Sequence, residues 1–262
     1  MTERIAVFGG VYSNHLALAA LLDDAPRRGA ERIYCLGDLG AFGPHPDKVF
    51  PFLRDGNIPV VQGNYDNSVG NDLADCQCGY TDAKDNFFAR LSYDYTFKKT
   101  APPNKLWMRD LPGEIRLELN GVRVLLCHGS PRKTNEFLWE TTTSAAFLER
   151  LCVSHEADVI VGTHTGLHWH RALPSGRHFV NCGAIGRPAN DGRICVWYAI
   201  LAVDEKKDFR VEFVPLEYDH GRLAAEMRAE RLPEEFIATI ETGWWTTCLE
   251  VLPMKERARG VY

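Results

Sequence analysis

The chain has 262 residues, 45% of them apolar and 25% charged, which suits one large α/β domain or two small ones around a continuous core. A net charge of -5 with both signs interspersed argues against a nucleic-acid or anionic-membrane partner. The longest apolar run, Ile194 to Val203, is too short to span a bilayer, and the first strand starts without the charged lead and long apolar core of a leader, so a soluble, cytoplasmic protein is expected.

In chain order, Arg4 to Phe8 reads as a buried strand, Gly9-Gly10 as a loop, and Ser13 or Asn14 as the cap of a helix carrying Leu16, Leu18, Leu21 and Leu22. Arg32 to Leu36 is a second strand that runs into Gly37-Asp38, and the glycines and Pro44 after it leave no room for a helix. A helix over Pro46 to Leu53 and a third strand over Ile58 to Val61 follow, ending in Gly63-Asn64-Tyr65-Asp66. Strands separated by helices at this pitch imply right-handed crossovers and a largely parallel sheet.

Residues 67 to 105 break that rhythm and read as a mostly helical excursion able to cover the strand ends. Asn120-Gly121 between Ile115–Leu119 and Val122–Cys127 signals a hairpin, because both turn residues need positive φ. Its second strand ends at His128. A helix over Ser144 to Cys152 leads to a strand over Asp158 to Val161 and then Gly162-Thr163-His164-Thr165-Gly166. Further strands are expected at Phe179 to Gly183, Ile194 to Val203 and Phe209 to Pro215, and a helical pair broken near Pro233 closes the chain. No repeat or low-complexity linker divides the sequence, so a single domain over residues 1–262 is expected. Eight cysteines in a chain of this size need no disulfide framework, and free, mostly buried thiols are the expectation for them, Cys76 and Cys78 included.

Asp38, Asn64, His128 and His164 each fall just beyond a strand, at the end where open α/β sheets gather their sites. Two imidazoles, a carboxylate and an amide oxygen form a borderline-hard donor set, suited to one divalent transition metal, iron, manganese or zinc. Singly, each has an ordinary explanation: a turn-forming Asp or Asn, a core histidine. A metal accounts for all four together.

The motifs Gly37-Asp38, Gly63-Asn64-Tyr65-Asp66 and His128-Gly129-Ser130-Pro131 resemble those of the calcineurin-like metallophosphoesterases, in the bacterial branch of small single-domain members. Gly43-Pro44-His45-Pro46, Asn135-Glu136-Phe137-Leu138 and the stretch from Asn181-Cys182-Gly183 to Gly186-Arg187-Pro188 extend the resemblance over nearly the whole chain. The resemblance implies a four-layer α/β/β/α sandwich of two mixed sheets flanked by helices, with a metal centre at one end.

The sequence also departs from that pattern. Where the family has Asp-x-His after the first strand, this chain has Gly10 and Tyr12, and where it has Gly-His-x-His, alignment through His170-Arg171 leaves His164 and Gly166. In the family's two-metal arrangement the positions of Gly10, Tyr12 and Gly166 hold the first ion without bridging, so the resemblance implies one site removed and the other, Asp38, Asn64, His128 and His164, kept. Tyr65 stands where many members carry a proton-donating histidine.

Tyr12, Tyr65 and His168 are the catalytic candidates. At the substrate side the candidates are Gly10, Tyr12 and Asn14 from the first strand end, Tyr65, and Gly166, His168 and His170, the last three sharing a face with His164 if the segment is extended. His15 lies nearby in sequence, Cys76-x-Cys78 needs a partner to hold a metal, and Trp244-Trp245 is a core or dimer element. Three functions follow: a metal-dependent phosphoesterase on a small-molecule substrate, a mononuclear iron enzyme with Gly10 and Gly166 as open volume beside the metal, and a silent metal or phosphate binder. A homo-oligomer is left open.

Overall fold

The computed structural model describes residues 1–258. Two mixed sheets lie face to face. The first has the order β2-β1-β8-β9, from β1 (Glu3–Phe8), β2 (Arg32–Cys35), β8 (Val196–Val203) and β9 (Phe209–Leu216). The second has the order β3-β4-β5-β7-β6, from β3 (Glu114–Leu119), β4 (Val122–Cys127), β5 (Val159–Gly162), β6 (His168–Ala172) and β7 (His178–Cys182). The facing sides interdigitate through Ile5, Val7, Leu36 and Val61 against Val124, Leu126, Val161 and Val180.

The outer face of the first sheet is covered by α1 (His15–Arg27), α2 (Phe50–Asp55), α3 (Asn64–Gly70), α4 (Ala83–Lys99) and α5 (Pro102–Arg109), packed on Phe8, Leu18, Leu21, Tyr93 and Met108. The outer face of the second carries α6 (Ala145–Ser154), through Leu148, Leu151 and Cys152 on Ile160 and Phe179. The result is the four-layer α/β/β/α sandwich. α7 (His220–Ala229) and α8 (Glu234–Thr242) form the helical pair that breaks at Pro233, and a short α9 (Met254–Arg257) ends the described chain. Among the described residues no helix is long and apolar enough to cross a membrane.

Local chemistry sets several boundaries. Asn14, Asp82, Ser144 and Asp219 cap their helices, each accepting from a backbone N–H of the first turn. The β3–β4 hairpin pairs Leu119 with Val122, and Asn120 and Gly121 take φ of 43° and 78°, the turn that Asn-Gly favours.

Other expectations need correction. The strand over Ile58 to Val61 reduces to a parallel bridge of Val60 with Cys35, because Pro59 has no N–H to donate to a longer ladder. The helix over Pro46 to Leu53 opens as a 3-10 turn, Pro46–Val49, before α2. Neither sheet is largely parallel, since β8 runs antiparallel to β1 and β3 and β6 run antiparallel at the edges of the second sheet. Cys76 and Cys78 are bonded to each other, and the other six cysteines are free.

Candidate metal centre

The ends of β2, β4 and β5 bring three of the four expected ligands together. One ligand atom each from Asp38, His128 and His164 lies within 4.8 Å of the others. His128 Nε2 is 3.3 Å from Asp38 Oδ2 and 3.2 Å from His164 Nδ1. Asp38 is 4% exposed and His128 1%, while His164 is partly buried. The His128 Nδ1 lies 2.6 Å from the Leu36 carbonyl; donating there leaves Nε2 with its lone pair turned to the cluster.

The backbone holding these side chains is strained. Asp38, Ala41, Phe42, His45, Tyr12, Ser13 and His164 all have positive φ, a concentration expected where surrounding structure overrides local preference. The Gly37-to-Pro44 loop is splinted by α4: Thr96 Oγ1 accepts from Ala41 N, Ser92 Oγ from Phe42 N and Tyr95 Oη from His45 N. On its other side Gly37 approaches Gly63 so closely that a Cβ there would lie 2.4 Å from Gly63 N.

Asn64, 3% exposed, opens α3 beside the trio. Its Nδ2 donates to the Cys76 carbonyl at 2.8 Å and faces Cys78 Sγ at 3.5 Å, which fixes the amide, yet its buried Oδ1 has no hydrogen-bond partner. The Cys76–Cys78 loop belongs to the expected excursion. Its outer side walls a cavity of about 400 Å³ that Gln77, Tyr80, Arg90 and Asn135 also line.

Asp66 was not among the expected site residues. Fully buried, it accepts from Asp38 N at 2.8 Å, Leu39 N at 3.0 Å and Gly63 N at 2.8 Å, tying the β2 end to the start of α3. Its signal in the sequence was an Asp three residues after Gly63, in the first turn of a helix.

The electrostatics follow from burial and charge. Burial disfavours an ionised Asp38, but the charge and hydrogen bond of His128, then His164 and the Tyr65 amide, outweigh it and hold the carboxyl below its ordinary range. Burial and then the Asp38 charge push Asp66 up to about 6. Burial opposes a charged His128, and Asp38 more than compensates, so its pKa is raised; burial and the His128 charge push His164 down to about 3.

The remaining candidates are placed as follows. Tyr12 folds back over Gly10, where a Cβ would lie 2.8 Å from Ala184 Cβ, 2.9 Å from Tyr12 Cζ and 3.0 Å from its hydroxyl. A Cβ on Gly166 would lie 3.4 Å from the Trp245 indole. The open volume expected at Gly10 is therefore taken by Tyr12 and Ala184, whereas a methyl at Gly166 would sit in ordinary contact with the Trp245 indole. Tyr65 donates to Ser92 Oγ at 2.9 Å, and burial drives its phenol well up, away from any role as a proton donor near neutral pH. Asn14 is occupied by its cap and by the Ile185 carbonyl. His168 stacks on Trp197 at 4.1 Å and His170 on His178 at 5.2 Å, on the side of β6 that faces β8 and β9. His15 faces Glu226, and Trp245 packs in the core with Trp139, Leu167 and Trp197.

Two packed mixed sheets with an Asp, two His and an Asn at one end of their strands define a metallophosphoesterase-like protein with a candidate Asp/His/His metal centre. The calcineurin-like phosphoesterase superfamily domain matches residues 4–206, and the chain belongs to that superfamily. An uncharacterized protein of Methanocaldococcus jannaschii is 29% identical over 242 residues, spanning 88% of this chain and 95% of its own length. The structure of a hypothetical protein from Pyrococcus horikoshii has a TM-score of 0.75 at 21% identity, covering 93% of this chain and 99% of that one, a likeness of fold. A metallophosphoesterase from Sphaerobacter thermophilus has a TM-score of 0.69 at 25% identity, covering 93% and 100%.

Proposed function

We propose that this protein is a cytoplasmic, metal-dependent phosphoric ester hydrolase acting on a small-molecule substrate with a single divalent transition ion, iron, manganese or zinc, held by Asp38, Asn64, His128 and His164. The observation that carries the reading is the Asn64 Oδ1. A buried amide oxygen left without a donor costs about 1–3 kcal/mol, and this one belongs to an amide whose nitrogen is already anchored beside two imidazoles and a carboxylate. That donor set fits a borderline-hard ion.

When bound, such an ion polarises a phosphoryl oxygen and makes a water acidic enough to attack near neutral pH. The chain's own residues do the rest. Asp66 and the Tyr65 amide hold Asp38, Leu36 orients His128, and the Cys76–Cys78 loop screens Asn64 from the outer cavity. A place for one ion rather than two is supported by Gly10, Tyr12 and Gly166 standing where the family has Asp and His ligands, and by Tyr12 and Ala184 packed against Gly10.

A second reading, a mononuclear iron enzyme that is not a hydrolase, is favoured by the single-ion donor set, since a hydrolase on this plan gains from two ions, although Tyr12 and Ala184 take the open volume it called for at Gly10. A panel of phosphomonoesters and diesters assayed with added manganese, beside oxygen consumption by protein purified without air, separates the two. Hydrolysis lost in His128→Ala and His164→Ala supports the first reading. Oxygen uptake without hydrolysis overturns it for the second, and turnover in neither assay leaves a silent binder.

A further inference from the structure

Cys76 and Cys78 are joined to each other, and the other six cysteines are free. The bond spans a sequence separation of 2, a loop so short that crosslinking it removes little chain entropy, and stabilisation accounts for little of its presence. The segment around it is tied down independently by α4. Tyr93 Oη donates to the Leu73 carbonyl at 2.6 Å, Arg90 Nη1 to the Ala74 carbonyl at 2.8 Å and Asn86 Nδ2 to the Tyr80 carbonyl at 3.2 Å. In the cytoplasm proposed for this chain, thiols are kept reduced, and a disulfide is found chiefly where it is made and broken in use.

The bond lies between the ion centre and the outside. On its inner side this loop takes up the Asn64 amide nitrogen, which donates to the Cys76 carbonyl at 2.8 Å and to Cys78 Sγ at 3.5 Å. Those two contacts fix the direction of Oδ1, the oxygen assigned to the ion. The Cys78 backbone also lies close enough to the His164 ring to bias it toward its protonated form. On the outer side both cysteines line the cavity of about 400 Å³, a volume that admits a small organic molecule. Gln77, between them, is exposed and held by its flanks: its N and Nε2 donate to Asp75 Oδ1, and its carbonyl accepts from Asn135 Nδ2 at 2.7 Å.

We propose that Cys76 and Cys78 form a thiol–disulfide exchange site that sets the grip of the ion centre: a low-molecular-weight thiol reduces the bond from the outer cavity, and the opened loop releases the Asn64 amide. In the first step the small thiolate attacks Cys76 Sγ. A mixed disulfide forms, the bond to Cys78 breaks, and the electron pair leaves on Cys78 Sγ, to which the Asn64 N–H donates. A second thiolate then attacks the small-thiol sulfur of the mixed disulfide and expels the Cys76 thiolate. Two small thiols are thereby oxidised to their disulfide, and two electrons and two protons pass to the cysteine pair; the small disulfide reverses the sequence. The coupling to the ion rests on the reading of the centre as Asp38, Asn64, His128 and His164, whereas the exchange does not.

The test begins with the full chain equilibrated in buffers of graded reduced-to-oxidised glutathione ratio, alkylated, and its Cys76–Cys78 peptide weighed by mass spectrometry. The pair is expected to pass reversibly from disulfide to dithiol across the series with circular dichroism unchanged. A bond that survives excess dithiothreitol in the folded protein, or a pair that stays a dithiol in oxidised glutathione alone, overturns the exchange. Manganese is then titrated into both forms after the small thiols are removed without air. The reduced form is expected to bind it about tenfold more weakly, and the double variant Cys76→Ser/Cys78→Ser to match the reduced form. Affinities within twofold in the two forms overturn the coupling, and because both forms are the unsubstituted protein, that comparison stands even if the variant fails to fold. Manganese bound by neither form sinks the ion centre and the coupling with it, while the masses still decide the exchange.

Discussion

Asp38 and Asp66 are two buried carboxylates joined through one peptide unit, and their roles are separated by what faces each. Asp38 looks onto His128 and His164, while Asp66 is spent on three backbone N–H groups. Asn64 completes the first group only if something accepts its free oxygen. Asn64→Ala is therefore expected to weaken ion binding by tenfold or more, on the order of 1.4 kcal/mol, with little change in the metal-free protein, as read by titration with manganese or zinc. Protons sharpen the same point. His164 is neutral across the working range, its pKa pushed down to about 3, whereas His128 is raised by Asp38 and carries a proton below its folded pKa. An ion must displace that proton, so its affinity should fall as pH drops through the His128 pKa, with close to one proton released per ion instead of two. Potentiometric titration during ion binding at pH 6 gives the count. Asp38, His128 and His164 could be singled out because each is a donor soon after an expected strand, whereas the strand expected before Asn64 is only the bridge at Val60. Asp66 could not, because its partners Asp38 and Leu39 lie 28 and 27 residues away and are backbone groups that a side-chain motif does not reveal.

Secondary elements act here as braces for loops. α4 holds the Gly37-to-Pro44 loop through Ser92, Tyr95 and Thr96, and Thr96 and Ser92 are almost wholly buried. Thr96→Val keeps the shape but leaves the Ala41 N–H without its acceptor, at an expected cost of about 1–3 kcal/mol in denaturant unfolding and a weaker ion site. Gly63→Ala is expected to be worse, since the new methyl would lie 2.3 Å from Asp38 Oδ1; soluble yield and ion content check it. Residues 67 to 105 contain α4 and the start of α5, and the Asn120-Gly121 hairpin was readable in full. The fate of His168 and His170 was not. Their two-residue period does place them on one face, but that face of β6 meets Trp197, Phe209 and Phe213 of the other sheet. Which side a strand turns to the core depends on its partner sheet, and sequence period alone is silent on it.

At the scale of the molecule, the two sheets share a core and deliver their strand ends to one point, so an ion bound there ties together β2, α3, β4 and β5. An ion present at a hundred times its Kd should add about 2.7 kcal/mol to stability, and chelation should lower the Tm by about 5–10 °C in a scanning experiment. The fold was legible from strand spacing and motif resemblance together. The filling of the space beside Gly10 was not, because Ala184 arrives from a segment far along the chain and Tyr12 turns back on its own loop. The single ion is expected because Gly10, Tyr12 and Gly166 stand where the resemblance puts the other ion's ligands. Elemental analysis of protein purified without air decides the matter most directly. The proposed single-ion centre predicts close to one transition ion per chain, lost in His128→Ala and His164→Ala. Two ions per chain, or an ion content indifferent to both substitutions, would contradict it.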